Sequence, residues 1–213
     1  MPGLDTLIAK SLDLTIKENL GKKTLEKVEQ RLFEKYGINL TQSIADFTKL
    51  DTVLREFFGK GAEVLEKQFL ENIVTLEETK NNEPNWVAID DPSLARQILE
   101  AFGDDDKNKI LNAVLDEFRT ISDILKITKL PQTSGYRKIN SLIDGGLLIN
   151  QGRLTIQDGK KVNKYKSIIE NLTINLKKNR VIVKALLAEE SIRRSSIIKC
   201  VRVSSIECFN QRH

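Results

Sequence analysis

The sequence predicts a mainly α fold with a small β component, and three observations carry that expectation. Apolar residues recur at helical spacing through residues 1–78 and again from 92 to 143. Two stretches further on alternate apolar and polar residues around turn signals, as β-hairpins do. A polar, proline-broken run separates the two parts. The chain has 213 residues, 40% of them hydrophobic and 30% charged, which suits one large or two small domains with packed cores.

The N-terminal part reads as four or five short helices. Leu4, Leu7, Ile8, Leu12, Ile16 and Leu20 make one stripe; Leu25, Val28, Leu32 and Tyr36 make the next, with Gly37 as its stop. Leu40, Ile44 and Phe47 mark a short helix, and Leu50, Val53, Leu54, Phe57 and Phe58 a longer one ending near Gly59 and Gly61. Val64, Leu65, Phe69, Ile73 and Leu76 are expected on a last helix. Helices this short with brief connections make a compact module, placed at 1–78.

Residues 79–91 are expected to be a linker, because Asn81-Asn82-Glu83-Pro84-Asn85 is polar and broken, with Trp86 anchoring it onto a domain. A second helical stretch then starts at Asp91, a capping residue, and Pro92, which suits the first helical position. Leu94, Ile98, Ala101 and Phe102 share a face that stops at Gly103. Asp104-Asp105-Asp106 opens the next helix, where negative charge complements the helix dipole, and Ile110, Leu111, Val114, Leu115 and Phe118 follow.

Charge is divided unevenly. Residues 1–105 carry 13 Lys and Arg against 20 Asp and Glu, a net −7; residues 106–213 carry 21 against 10, a net +11. A basic half joined to an acidic one suggests that one part meets a polyanion. No apolar run approaches the ~20 residues of a membrane span. No signal peptide is read at the N-terminus, so the expected compartment is the cytoplasm. Cys200 and Cys208 are spaced wrongly for a zinc site, and the only histidine is His213; neither a disulfide nor a metal is expected. Gly59-Lys60-Gly61 lacks the spacing of a nucleotide loop, and no histidine is available for acid–base work inside the fold. No enzymatic activity and no cofactor are expected.

The segment 107–167 orders a helix, a short helix, a turn, a helix and a hairpin. Ser122 is the expected cap of a short helix holding Ile124, Leu125 and Ile127, and Thr128-Lys129-Leu130-Pro131 is the turn. A third helix runs near 132–143 with Gly135, Ile139 and Leu142 inward; Gly135 lets two helices approach closely. Asp144-Gly145-Gly146 ends it, since glycine accepts positive φ. Leu147, Leu148, Ile149, Leu154 and Ile156 then lead to the Asp158-Gly159 hairpin signal, and Val162 and Tyr165 lie on the return strand. The outer face of the third helix offers Gln132, Thr133, Ser134, Tyr136, Arg137, Lys138 and Asn140, which suit base edges and phosphates. The hairpin near 157–164 carries Lys160, Lys161 and Lys164, the chemistry of a wing against a phosphate backbone.

These residues carry a resemblance. Leu130-Pro131-Gln132-Thr133-Ser134-Gly135-Tyr136-Arg137-Lys138-Ile139 resembles the recognition-helix run of archaeal winged helix-turn-helix regulators of the ArsR-like group, which read Pro-x-Ser/Thr-x-x-Tyr-Arg. Asp144-Gly145-Gly146-Leu147-Leu148 resembles their exit into the wing. Gly135 departs from the pattern, where alanine is commoner, and the helices carry no metal-sensing cysteine or histidine. The likeness covers about 92–184. Tyr36-Gly37-Ile38-Asn39-Leu40 and Phe58-Gly59-Lys60-Gly61-Ala62 resemble a small helical output domain of thaumarchaeal regulators, which implies co-occurrence with DNA-binding domains and no chemistry.

Leu172, Ile174 and Leu176, the turn Lys177-Lys178-Asn179-Arg180, and Val181 and Val183 predict an extra hairpin. Residues 185–213 read either as a helix or as a basic tail. The resulting expectation is a transcription regulator that binds double-stranded DNA as a homodimer. The alternative is a winged-helix scaffold for protein or RNA without sequence-specific DNA binding. A protein or small-molecule partner of the N-terminal module is left open.

Overall fold

Leu4, Leu7, Ile8, Leu12, Ile16 and Leu20 are all buried along one side of α1 (Leu4–Leu20). In the computed structural model, which describes residues 3–76, 86–155, 161–178 and 180–199, this stripe packs mainly against other helices of the chain. Helices α2 (Lys22–Tyr36), α3 (Leu40–Ile44), α4 (Phe47–Phe58) and α5 (Gly61–Glu71) follow. Gly37 ends α2 in the left-handed region at φ 66°, its N–H donating to the Phe33 carbonyl. Phe47, expected with the short helix, instead opens α4. Ile73 and Leu76, expected on the last helix, lie beyond it: β1 is Val74–Leu76. The β-branched run Ile73-Val74-Thr75 favours extended backbone, and the Ile73 carbonyl accepts the N–H groups of Asp90 and Asp91.

The next strand corrects the expected linker. Residues 79–85 lie outside the described residues, but Trp86–Ile89 form β2, paired antiparallel to β1. After it come α6 (Pro92–Gly103), α7 (Asp105–Ala113), β3 (Arg119–Thr120), α8 (Ile121–Thr128) and α9 (Gln132–Asp144). Then follow β4 (Leu148–Thr155), β5 (Lys161–Ser167), β6 (Ile169–Lys177), β7 (Arg180–Leu187) and α10 (Glu189–Arg194). Val114, Leu115 and Phe118, expected on the helix that is α7, lie past its end. Asp91 caps α6 by accepting from the Leu94 N–H at 2.6 Å, with Pro92 at the first position. The last described residues, 196–199, make one more helical turn. Cys200, Cys208 and His213 lie outside the described residues.

The molecule is mainly helical with two small antiparallel sheets, ordered β1-β2-β7-β6 and β3-β5-β4. Because β7 pairs with β2 on one side and β6 on the other, the strand that follows the polar run is built into the extra hairpin. The boundary read at 79–91 therefore falls inside a sheet. Alternation decides this: Val87 and Ile89 are buried opposite Ala185 and Val183, an apolar pairing that no local signal at 86–89 announces.

Asp5 ties α1 to the segment just after α10. This buried carboxylate accepts hydrogen bonds from the Ser195 hydroxyl, the Ser196 hydroxyl at 2.7 Å and the Ser196 N–H at 2.8 Å. Ser196 Oγ in turn accepts from the Phe47 N–H. Asp5→Ala leaves these donors without an acceptor, and a loss of about 2–3 kcal/mol in denaturant unfolding is expected. An unchanged unfolding midpoint would contradict this role for Asp5.

Candidate nucleic-acid interface

Helices α8 and α9 pack closely at Gly135. A Cβ built on Gly135 would sit 2.2 Å from Leu125 Cδ2 and 3.4 Å from Leu130 Cβ. Alanine at this position would force the buried Leu125 side chain into another rotamer. Gly135, Ile139 and Leu142 are the buried side of α9, as the sequence predicts. The turn between the helices is tightened by Lys129, whose φ of 55° is left-handed. The cap of α8 is Thr120 rather than Ser122: its hydroxyl oxygen accepts the Asp123 N–H. Thr120 ends β3 in extended backbone, which is the conformation a cap residue needs, whereas Ser122 already lies inside the helix.

On the far side of α9, Gln132, Thr133, Tyr136, Arg137 and Asn140 are exposed together. Tyr136 is 43% exposed, a large amphipathic ring standing in solvent. No side chain caps the N-terminus of α9, which begins after Pro131. Ser134 is half-buried and donates to the Pro131 carbonyl. Arg137 has no ion-pair partner among the described residues.

Lys138 goes elsewhere. Its ammonium lies 2.7 Å from both Asp104 oxygens and 3.4 Å from an Asp106 oxygen, on the side of α9 that faces α7. Hydrogen bonding to Asp104 raises the Lys138 pKa, and the same contact, with the Lys107 N–H, lowers that of Asp104. A cation compensated by two carboxylates is a strut between helices, so the structure separates Lys138 from the other candidates. The helical period explains this: Lys138 follows Arg137 by one residue, about 100° round the helix.

The β4–β5 hairpin lies beside this unit. A bulge between Asn150 and Arg153, with Gly152 at φ 100°, bends β4. Alternation along β5 buries Tyr165 and Ser167 and places Lys164 and Lys166 on the opposite face from Lys161. Lys161 is exposed and Lys164 half-buried. Lys160 and the hairpin tip lie outside the described residues. Three cations absent from the sequence-based list join the surface: Lys126 and Lys129, exposed at the end of α8 and in the turn, and Lys166, half-buried on β5. The signal for Lys126 and Lys129 was their place just before the start of α9.

The two halves differ in net charge, acidic against basic, while both hold cations without an ion-pair partner, Lys10, Lys22, Lys23, Lys27 and Lys60 among the described residues of the helical half. Several cations of the helical half are matched locally: Arg31 and Lys35 with Glu56, and Arg55 with Asp51 and Glu63. Lys126, Lys129, Arg137, Lys161, Lys164 and Lys166 have no ion-pair partner among the described residues. Among those residues too, no group of three or more His, Cys, Asp or Glu side chains could hold a metal ion, and no helix is long and apolar enough to cross a membrane.

The chain matches no protein-family model, and neither curated proteins nor solved structures give a match.

Proposed function

We propose that the chain is a DNA-binding regulator of the winged helix-turn-helix type, with α9 entering the major groove and the β4–β5 hairpin lying along the phosphate backbone. The observation that carries this reading is the cluster of uncompensated cations around one exposed polar helix face, on a protein whose other cations are often paired. Uncompensated lysines and arginines on adjoining elements form an electrostatic footprint for a polyanion. Gln132, Arg137 and Asn140 have the length and donor pattern to read base edges, and Arg137 can address guanine with two hydrogen bonds. Thr133 and the free N–H groups at the start of α9 suit a phosphate oxygen. Lys161, Lys164 and Lys166, with Lys126 and Lys129, attach without reading sequence. The acidic helical half stays off the DNA, because its net charge repels phosphate.

Binding of the full chain to duplex DNA should weaken steeply with salt, with a slope of about −0.9 per phosphate contacted. Arg137→Ala should weaken a preferred site roughly tenfold to 150-fold while altering random DNA less. Lys164→Ala with Lys166→Ala, two cations on one face of β5, should weaken all sequences alike and flatten the salt slope by about 2. Lys138→Ala, which removes the strut, should leave that slope unchanged. Anisotropy titrations over a salt series measure all of these. Salt-independent binding, or none to pooled duplexes, would refute the reading, and an equal salt slope in every variant would refute the assigned roles.

A further inference from the structure

A cleft of about 430 Å³ opens where α1, α6, α7 and the end of α9 converge, a volume suited to a small molecule. Leu7, Ala101, Leu142 and Leu147 line it and are each buried, so its floor is apolar. Its walls also carry charge. Lys10 stands on α1, Glu100 on α6, Lys107 on α7 and Asp144 at the end of α9. Lys107 is half-buried and the other three are exposed. Two ammonium groups and two carboxylates thus line one cavity, yet none of the four forms an ion pair among the described residues.

Two neutral groups add direction. The side-chain nitrogen of Gln97 donates to the Gly145 carbonyl at 3.0 Å, which only the NH2 end of the amide can do. The amide is therefore oriented, and its oxygen is the atom left to accept an N–H from a ligand. Ser141, exposed on the last turn of α9, brings a hydroxyl without a hydrogen-bond partner among the described residues.

Charge selects the ligand class. The four charged side chains sum to zero, so a simple anion meets two carboxylates as well as two ammonium groups, and a simple cation meets the reverse. A molecule with one charge of each sign can set each against its opposite. The acceptors around the cation, Glu100, Asp144 and the Gln97 oxygen, call for N–H donors, which a primary ammonium has and a quaternary one lacks. The apolar floor calls for a hydrocarbon side chain. We propose that this cleft binds a free α-amino acid with an apolar side chain. Its carboxylate lies with Lys10, Lys107 and the Ser141 hydroxyl, its ammonium with the three acceptors, and its side chain on the apolar floor. The bound molecule touches both α1 and the last turn of α9, so it fastens the two together and stabilises the native state.

The site does not depend on the DNA-binding reading, so its test uses the full chain without DNA. Titration calorimetry and thermal unfolding use leucine, isoleucine, valine, methionine and phenylalanine as probes, and at least one should bind and raise the unfolding midpoint. Two analogues of leucine separate the charges: 4-methylpentanoate lacks the ammonium and isopentylamine lacks the carboxylate. Each should bind at least about tenfold more weakly than leucine. Lys107→Gln and Glu100→Gln should each weaken the amino acid roughly tenfold, and leave the unliganded midpoint unchanged because neither side chain is ion-paired. Lys107→Gln should not weaken isopentylamine, and Glu100→Gln should not weaken 4-methylpentanoate. A chain that binds none of the five amino acids at about 10 mM overturns the proposal. So do analogues that bind as well as leucine, which would make the cleft a site for a single charge or for apolar surface alone. Binding indifferent to both variants would place the ligand elsewhere and overturns it as well.

Discussion

Gly146→Ala is expected to abolish the native fold at ordinary temperature, a loss of about 4 kcal/mol or more. Two effects add. Gly146 sits at φ 73°, where a side chain is strained. A Cβ there would also lie 2.3 Å from the Leu7 nitrogen, 2.7 Å from the Gly3 oxygen and 2.8 Å from the Leu7 Cα. These are backbone atoms of the first turn of α1, so no rotamer change relieves the clash. Helix α1 would have to lift away, uncovering Leu4, Leu7 and Ile8, each buried in the native state. Thermal unfolding and soluble yield measure the outcome. A variant within about 1 kcal/mol of the parent would show that α1 does not seat on the exit of α9. The contact also joins α1 to the end of α9, so a fragment beginning at residue 92 would expose the surface that α1 and β2 cover.

Glu66→Gln should raise stability at alkaline pH by on the order of 4 kcal/mol and flatten the pH dependence. Glu66 lies on α5 with only 1% of its surface exposed, and neither carboxyl oxygen has a hydrogen-bond partner. Burial pushes its pKa up to about 8, and the neighbouring Asp51 carboxylate adds to the shift, while Arg55 opposes it. Arg55 is already engaged by Asp51 and Glu63, so it compensates Glu66 little. A folded-state pKa above the unfolded value means that the proton is bound more tightly in the native state. The protonated form's contribution is fully present below about pH 4.5 and is lost as pH rises through about 8. Glutamine keeps the shape and carries no charge, so the two proteins should be nearly equal at pH 5 and diverge by pH 9. Parallel stability curves for parent and variant across that range would place Glu66 in a solvated site instead.

Local signals were legible where the physics is local. The stripes of α1, α2 and α6 lie on the predicted faces, and that of α4 does so except for Phe57, which is exposed, because a 3.6-residue period is written in the order of residues alone. Asp91-Pro92 begins α6 and Gly37 ends α2 because caps depend on a few neighbouring atoms. The two C-terminal hairpins follow from alternation and turn residues. On α9, the division into a buried Gly135-Ile139-Leu142 side and an exposed side containing Arg137 was equally readable.

Long-range partners were not legible. Trp86–Ile89 is a strand because β7 and β1 lie on either side of it, and those partners are distant or concealed by the polar run between. Lys138 has the composition of a DNA-facing residue, but Asp104 and Asp106 reach it across a helix interface. Asp5 looks like an ordinary first-turn acid until Ser195 and Ser196 arrive from the other end of the chain. The sequence by itself determined most of the helices and the two C-terminal hairpins, and most of their apolar sides. The tertiary structure alone decided which charges are compensated and which strand is central, because pairing energies depend on distances between segments that local order does not encode.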